Sequence, residues 1–146
     1  MKQSSKVLGL GGISIAALGF AASGIIMPRL AWNASSSAPI GLYFVRSGAL
    51  EIGDFVLVSP DAGLESFIEW RGYLPPRIPL LKRVAAIAGN EVCRRGNRIF
   101  IDEFLVADAL VFDSERRPLP VWEGCLILSR DEIFLLNDHQ RSLDGR

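Results

Sequence analysis

The chain has 146 residues, with 16 basic and 16 acidic side chains, one histidine and two cysteines. That length suits one domain rather than two. The even charge balance leaves no basic surface of the kind that holds nucleic acid, and one histidine with two distant cysteines falls short of a metal site. A hydrophobic fraction of 49% is high for a soluble domain and points to a membrane segment.

That segment stands near the start. Val7 to Met27 is a run of 21 residues without a charge, and as a helix it would span roughly 31 Å, close to the ~30 Å hydrocarbon core of a bilayer. Lys2 and Lys6 precede it and Pro28-Arg29 follow, which favours an amino terminus in the cytoplasm. The alternative is a cleavable secretory signal with Ala21-Ala22-Ser23 near the cleavage site. The run is longer than the ~7–15 residues of a signal core, however, and continues through Ile25-Ile26-Met27. The expected organisation is a cytoplasmic tail over 1–6, a transmembrane anchor over 7–27 and an exported domain over 28–146. In an oxidising compartment Cys93 and Cys125 can form a disulfide; the alternative is two buried thiols acting as small apolar side chains.

Beyond the anchor, Ala31 to Pro39 (AWNASSSAP) reads as irregular. Gly41–Arg46 predicts a strand, and Glu51–Val58 a turn at Gly53-Asp54 running into a strand. Leu64–Gly72 predicts a short helix ended by glycine. Leu74–Pro79, with three prolines, cannot be regular. Leu80–Ala88 reads as a strand apolar on both faces. Asn97–Asp102 and Glu103–Val111 follow, then a polar excursion around Arg116, Arg117, Pro118 and Pro120. Two strands, Cys125–Ser129 and Glu132–Asn137, flank a turn at Arg130-Asp131. The expected fold of the exported domain is mainly β.

One residue stands out in this pattern. The chain holds three lysines, Lys2, Lys6 and Lys82, and after residue 6 every other cationic side chain is arginine. Lys82 shares a strand face with Leu80, Val84 and Ala86. Removing a lysine from water disfavours its ammonium form, and a neutral lysine can act as a general base, which arginine cannot. The plainer alternative is a lysine whose stem lies on apolar surface while its head reaches water. A base needs a nucleophile. His139, in NDHQRS, reads as a surface residue. There is no glycine-rich phosphate loop, and no cofactor is expected. The serines gather in Asn33-Ala34-Ser35-Ser36-Ser37-Ala38-Pro39-Ile40-Gly41-Leu42-Tyr43, which composition alone would call a linker.

This segment resembles the nucleophile motif of the conjugative-transfer signal peptidases, the TraF type of the S26 serine peptidases. Asn33, Ser35, Ser37, Pro39, Gly41 and Tyr43 fit that motif at alternate positions. Glu51–Val56 resembles the family's glycine–aspartate turn, and Arg71-Gly72-Tyr73-Leu74-Pro75 before Pro79–Gly89 resembles its general-base motif. Arg117–Cys125 is also similar, and Arg141–Arg146 resembles its last box. The resemblance implies an S26 signal-peptidase-like β domain behind one N-terminal transmembrane helix. It implies Ser37 as nucleophile and Lys82 as general base, a Ser–Lys dyad. Ser36 is the rival nucleophile; the register with Pro39 and Gly41 favours Ser37. Ser35 would help the Ser37 backbone N–H form the oxyanion hole, Ser142 would aim the lysine amine, and Asp144 would support the site structurally.

The chain departs from the pattern in three places. Asn90 stands where aspartate is common, with little effect expected. Gly145 stands where general signal peptidases carry serine. The family continues past the position of Arg146, so the resemblance implies a domain truncated at its C-terminus. The function it implies is a membrane-anchored serine endopeptidase of the bacterial inner membrane, single-pass with its catalytic domain in the periplasm. Its expected partners are the membrane and an exported precursor protein, a conjugative pilin or another pre-protein, with no nucleic acid and no metal. The alternatives are a general type I signal peptidase and a non-catalytic β scaffold of the conjugation or secretion machinery.

Overall fold

The computed structural model describes residues 30–145. The expected anchor, Val7 to Met27, lies outside the described residues, and among the described residues no helix is long and apolar enough to cross a membrane. Contacts group the chain into two units. Residues 32–43 and 47–145 fall in one; Leu30, Ala31 and Phe44–Arg46 fall in the other.

The described chain is mainly β. In order it forms β1 (Leu30–Asn33), β2 (Gly41–Phe44), β3 (Phe55–Val58), the helix α1 (Ala62–Trp70), β4 (Leu80–Ala86), β5 (Glu91–Arg95), β6 (Arg98–Ile101), β7 (Phe104–Asp108), β8 (Gly124–Ile127) and β9 (Phe134–Leu135). They make three sheets, ordered β1-β2, β3-β4-β9 and β7-β6-β5-β8. β1 is an addition to the sequence reading, which left its residues irregular. Its AWN run is too short and mixed to carry a period, and β2 supplies its partner. β9 is a correction in length: of the six residues Glu132–Asn137, only Phe134 and Leu135 form the strand.

Leu80, Lys82, Val84 and Ala86 of β4 are buried and the residues between them half-buried, the alternation of a strand between two neighbours. The turn before β3 extends that pairing. Gly53 adopts φ +100°, a conformation that glycine reaches without strain. The Asp54 carboxylate accepts from the Glu51 N–H at 2.9 Å. Gly53 N–H then donates to Val84 C=O and Val84 N–H to Asp54 C=O, both at 2.8 Å. α1 starts two residues earlier than the apolar pattern predicts because Asp61 caps it, accepting from Leu64 N–H at 2.8 Å. It stops at Gly72, with φ +69°, where Tyr73 N–H closes back on Ile68 C=O.

The core is Ala86, Val92, Ile99, Ala109 and Leu128, with Ile101, Ala107, Trp122 and Phe134 packed on it. Cys93 and Cys125 are direct cross-strand partners on β5 and β8 and are joined as a disulfide. Away from the core, three side chains converge on Asp113. Tyr73 Oη–H donates at 2.7 Å, Arg117 Nε–H at 2.7 Å and Arg71 Nη1–H at 3.2 Å. Burial alone would raise the Asp113 carboxyl. Donation from Tyr73, from the backbone and side chain of Arg117 and from Glu115 N–H outweighs it and holds the group well below the usual carboxylate range. Burial, and then the bond to Asp113, push the Tyr73 phenol up. The excursion around Arg116–Pro120 is therefore pinned to the end of α1.

Candidate active site

Two groups of polar side chains contain the candidate residues. The first is the serine loop between β1 and β2, folded by Asn33. Its Nδ2 donates to the C=O of Ser35 (2.9 Å), Ala38 (3.0 Å) and Pro39 (3.1 Å). With the amide nitrogen so engaged, Oδ1 faces the serines, accepting from Ser35 N–H at 3.1 Å and from Ser35 Oγ–H at 3.0 Å. Ser35 Oγ also lies 2.9 Å from Ser37 Oγ. A hydroxyl carries one proton. Since that of Ser35 goes to Asn33, the proton shared between the two serines is that of Ser37. Ser37 is half-buried and Ser36 exposed. Tyr43 Oη–H donates to Pro39 C=O at 2.6 Å and its ring meets Phe55 edge-on, 5.6 Å between centroids, which ties the loop to the start of β3.

The second group surrounds Lys82, which is 5% exposed and so does not send its head into water. Its Nζ–H donates to Ser142 Oγ at 2.9 Å, and Ser142 is 8% exposed. The fold thus brings Lys82 and Ser142 together. Asp144 accepts from Asn137 N–H through Oδ2 at 3.0 Å. Asn137 is 2% exposed and holds β4 on both sides of the lysine. Its Oδ1 accepts from Arg83 N–H at 2.8 Å and its Nδ2–H donates to Leu81 C=O at 3.1 Å. His139 lies in an exposed loop, where its Nδ1 accepts from Arg141 N–H.

Asn33 entered the sequence reading only as a motif match, and Asn137 only as the last residue of a predicted strand. Each works through backbone atoms, which leave no pattern in sequence. An asparagine in the fourth alternating place before Gly41, or one closing an apolar run, was the available signal. The stretch Arg117–Cys125 serves the site through support. Trp122 Nε1–H donates to Gly145 C=O at 3.0 Å, which holds the segment that carries Ser142 and Asp144. Gly145 has no room for a side chain: a Cβ there would stand 2.4 Å from the Phe134 ring.

A buried lysine amine against the Ser142 hydroxyl and, separately, two serine hydroxyls held by Asn33 are the residue types that proton transfer from a hydroxyl nucleophile uses. The chain is also similar to known proteins. The model of the family described as signal peptidase, peptidase S26, matches residues 5–146. Two curated relatives from Escherichia coli are each described as plasmid transfer protein TraF. One is 29% identical over 125 residues, covering 78% of this chain and 71% of the relative. The other is 28% identical over 151 residues, covering 96% of this chain and 82% of the relative. No solved structure matches. The chain belongs to the S26 signal peptidase family.

Proposed function

We propose that this protein is a membrane-anchored serine endopeptidase that processes an exported precursor, a conjugative pilin, in plasmid transfer. The observation that carries the reading is Lys82, the one lysine after residue 6, buried in β4 with its amine on Ser142. The TraF relatives support the conjugative setting. Ser37 attacks the scissile carbonyl through Oγ while the neutral Lys82 amine takes its proton. The C–N bond breaks, the leaving amine receives that proton, and the acyl chain remains as an ester on Ser37. Lys82 then draws a proton from water, whose oxygen releases the product and restores the serine. Ser35 hydroxyl turns from Asn33 to the developing oxyanion, joined by Ser37 N–H; one such donor contributes about 3–4 kcal/mol. Ser142 aims the amine, and Asp144 acts structurally.

The 21-residue apolar run Val7–Met27 would hold the domain at the periplasmic face of the inner membrane, concentrating it where precursors emerge. Membrane fractions carrying the wild-type chain should convert the pilin precursor to its mature length. Ser37→Ala should abolish the conversion and Ser36→Ala leave it. Loss in Ser36→Ala alone would move the nucleophile, and conversion by Ser37→Ala at the wild-type rate would end the serine-peptidase reading.

A further inference from the structure

We infer that Asn137 is a positioning residue for Lys82, acting by extending a β ladder with its side chain; the inference rests on the peptidase reading above. β9 pairs with β4 only through Val84↔Leu135 and Ala86↔Phe134. One more backbone bond follows, Leu136 N–H to Arg83 C=O at 2.9 Å. The main chain then leaves β4, while Leu81 C=O and Arg83 N–H still face the side that β9 has vacated. Unfilled, these half-buried groups would each lose a hydrogen bond. The Asn137 carboxamide takes both, Arg83 N–H at Oδ1 (2.8 Å) and Leu81 C=O at Nδ2 (3.1 Å). A planar amide presents a donor and an acceptor as a peptide group does, so the ladder continues one step past the strand.

The residue between those two bonds is Lys82. On its other side Lys82 is registered against Val56 of β3. Its backbone is thereby held from both edges, which sets the direction in which its side chain leaves. The same residue anchors the amine's partner. Asn137 N–H donates to Asp144 Oδ2 at 3.0 Å, and Gly145 N–H to Leu135 C=O at 3.0 Å. Both ends of the loop that carries Ser142 are therefore tied to the end of β9. Substituting side-chain bonds for main-chain ones frees the chain to turn there and bring Ser142 back over Lys82. One asparagine thus fixes base and orienting hydroxyl in a common frame, where displacement of about 1 Å costs on the order of 100-fold in rate.

The lysine count makes this measurable apart from proteolysis. In the full chain labelled with [13Cε]lysine, in detergent micelles, three signals are expected, and Lys82→Arg identifies the buried one. Asn137→Ala should move the Lys82 signal toward those of Lys2 and Lys6, and lower kcat on the precursor by at least about tenfold with KM within about twofold. A purely structural role would lower Tm and leave the Lys82 signal of the folded protein in place, which would overturn the inference. Should Asn137→Ala not fold, Asn137→Asp decides. It keeps an acceptor for Arg83 N–H and loses the donor to Leu81, so a displaced Lys82 signal supports the inference and an unchanged one overturns it. The signal decides Asn137 even if Ser37→Ala cleaves normally and the peptidase reading falls.

Discussion

Lys82 Nζ donates to Ser142 Oγ at 2.9 Å across 60 residues of sequence, and both side chains are buried. Taking an ammonium out of water costs several kcal/mol unless hydrogen bonds compensate, so this position would favour an apolar residue if stability alone were served. In Ser142→Ala the amine loses that acceptor. The expected result is a folded protein that is about 1–2 kcal/mol less stable and at least about tenfold slower, with the loss in kcat rather than KM. Denaturant unfolding beside cleavage kinetics would check both.

Gly145 is set by packing. A Cβ there would lie 2.4 Å from the ring of Phe134, which packs against the core, and the Gly145 carbonyl accepts from Trp122. Gly145→Ser, the residue that general signal peptidases carry, should therefore cost about 1–3 kcal/mol through overpacking. A thermal melt would show this as a lowered Tm.

Asn90 ties Ile87 to the turn between β6 and β7. Its Nδ2–H donates to Asp102 Oδ2 at 2.6 Å and its Oδ1 accepts from Ile87 N–H. Asp102 and Glu103, both at positive φ, form the turn between β6 and β7, a conformation that non-glycine residues adopt at a cost. An aspartate at 90 would put two carboxylates face to face. Asn90→Asp should cost about 1 kcal/mol at neutral pH. That cost should shrink as the solution is acidified below the carboxylate range, measured as urea midpoints for both proteins.

The acid limb of stability should report Asp113. Its folded carboxyl is held well below its unfolded value of about 3.9. Its contribution is therefore full above about pH 4 and drains away as pH falls toward the lowered folded value. Asp113→Asn should be less stable than wild type at pH 7 and lose less further stability below pH 4. Parallel curves for the two proteins would refute this assignment.

The fold was readable where a period or a punctuating residue carried it. β4 showed in the apolar run around Lys82, α1 in its glycine stop, and the mainly β class in the succession of short runs. β1 and the true extent of β9 were not readable. Trp32 and Asn33 form a strand only against β2, and the last part of Glu132–Asn137 leaves the sheet because a side chain replaces its backbone. The cysteine pairing became definite only with the register of β5 against β8. Lys82 and Ser142 were legible through a composition oddity and a family resemblance. Asn33 folds its own loop through backbone atoms within six residues, and Asn137 binds backbone atoms of β4, so composition and period do not announce either.

The most direct test of the central claim is cleavage of the pilin precursor in membranes by wild-type protein and by Lys82→Arg. Arginine keeps the charge and the length but cannot become a neutral base. The dyad account predicts that the arginine variant inserts, folds and leaves the precursor uncut. Cleavage at the wild-type rate by a folded Lys82→Arg protein would contradict it.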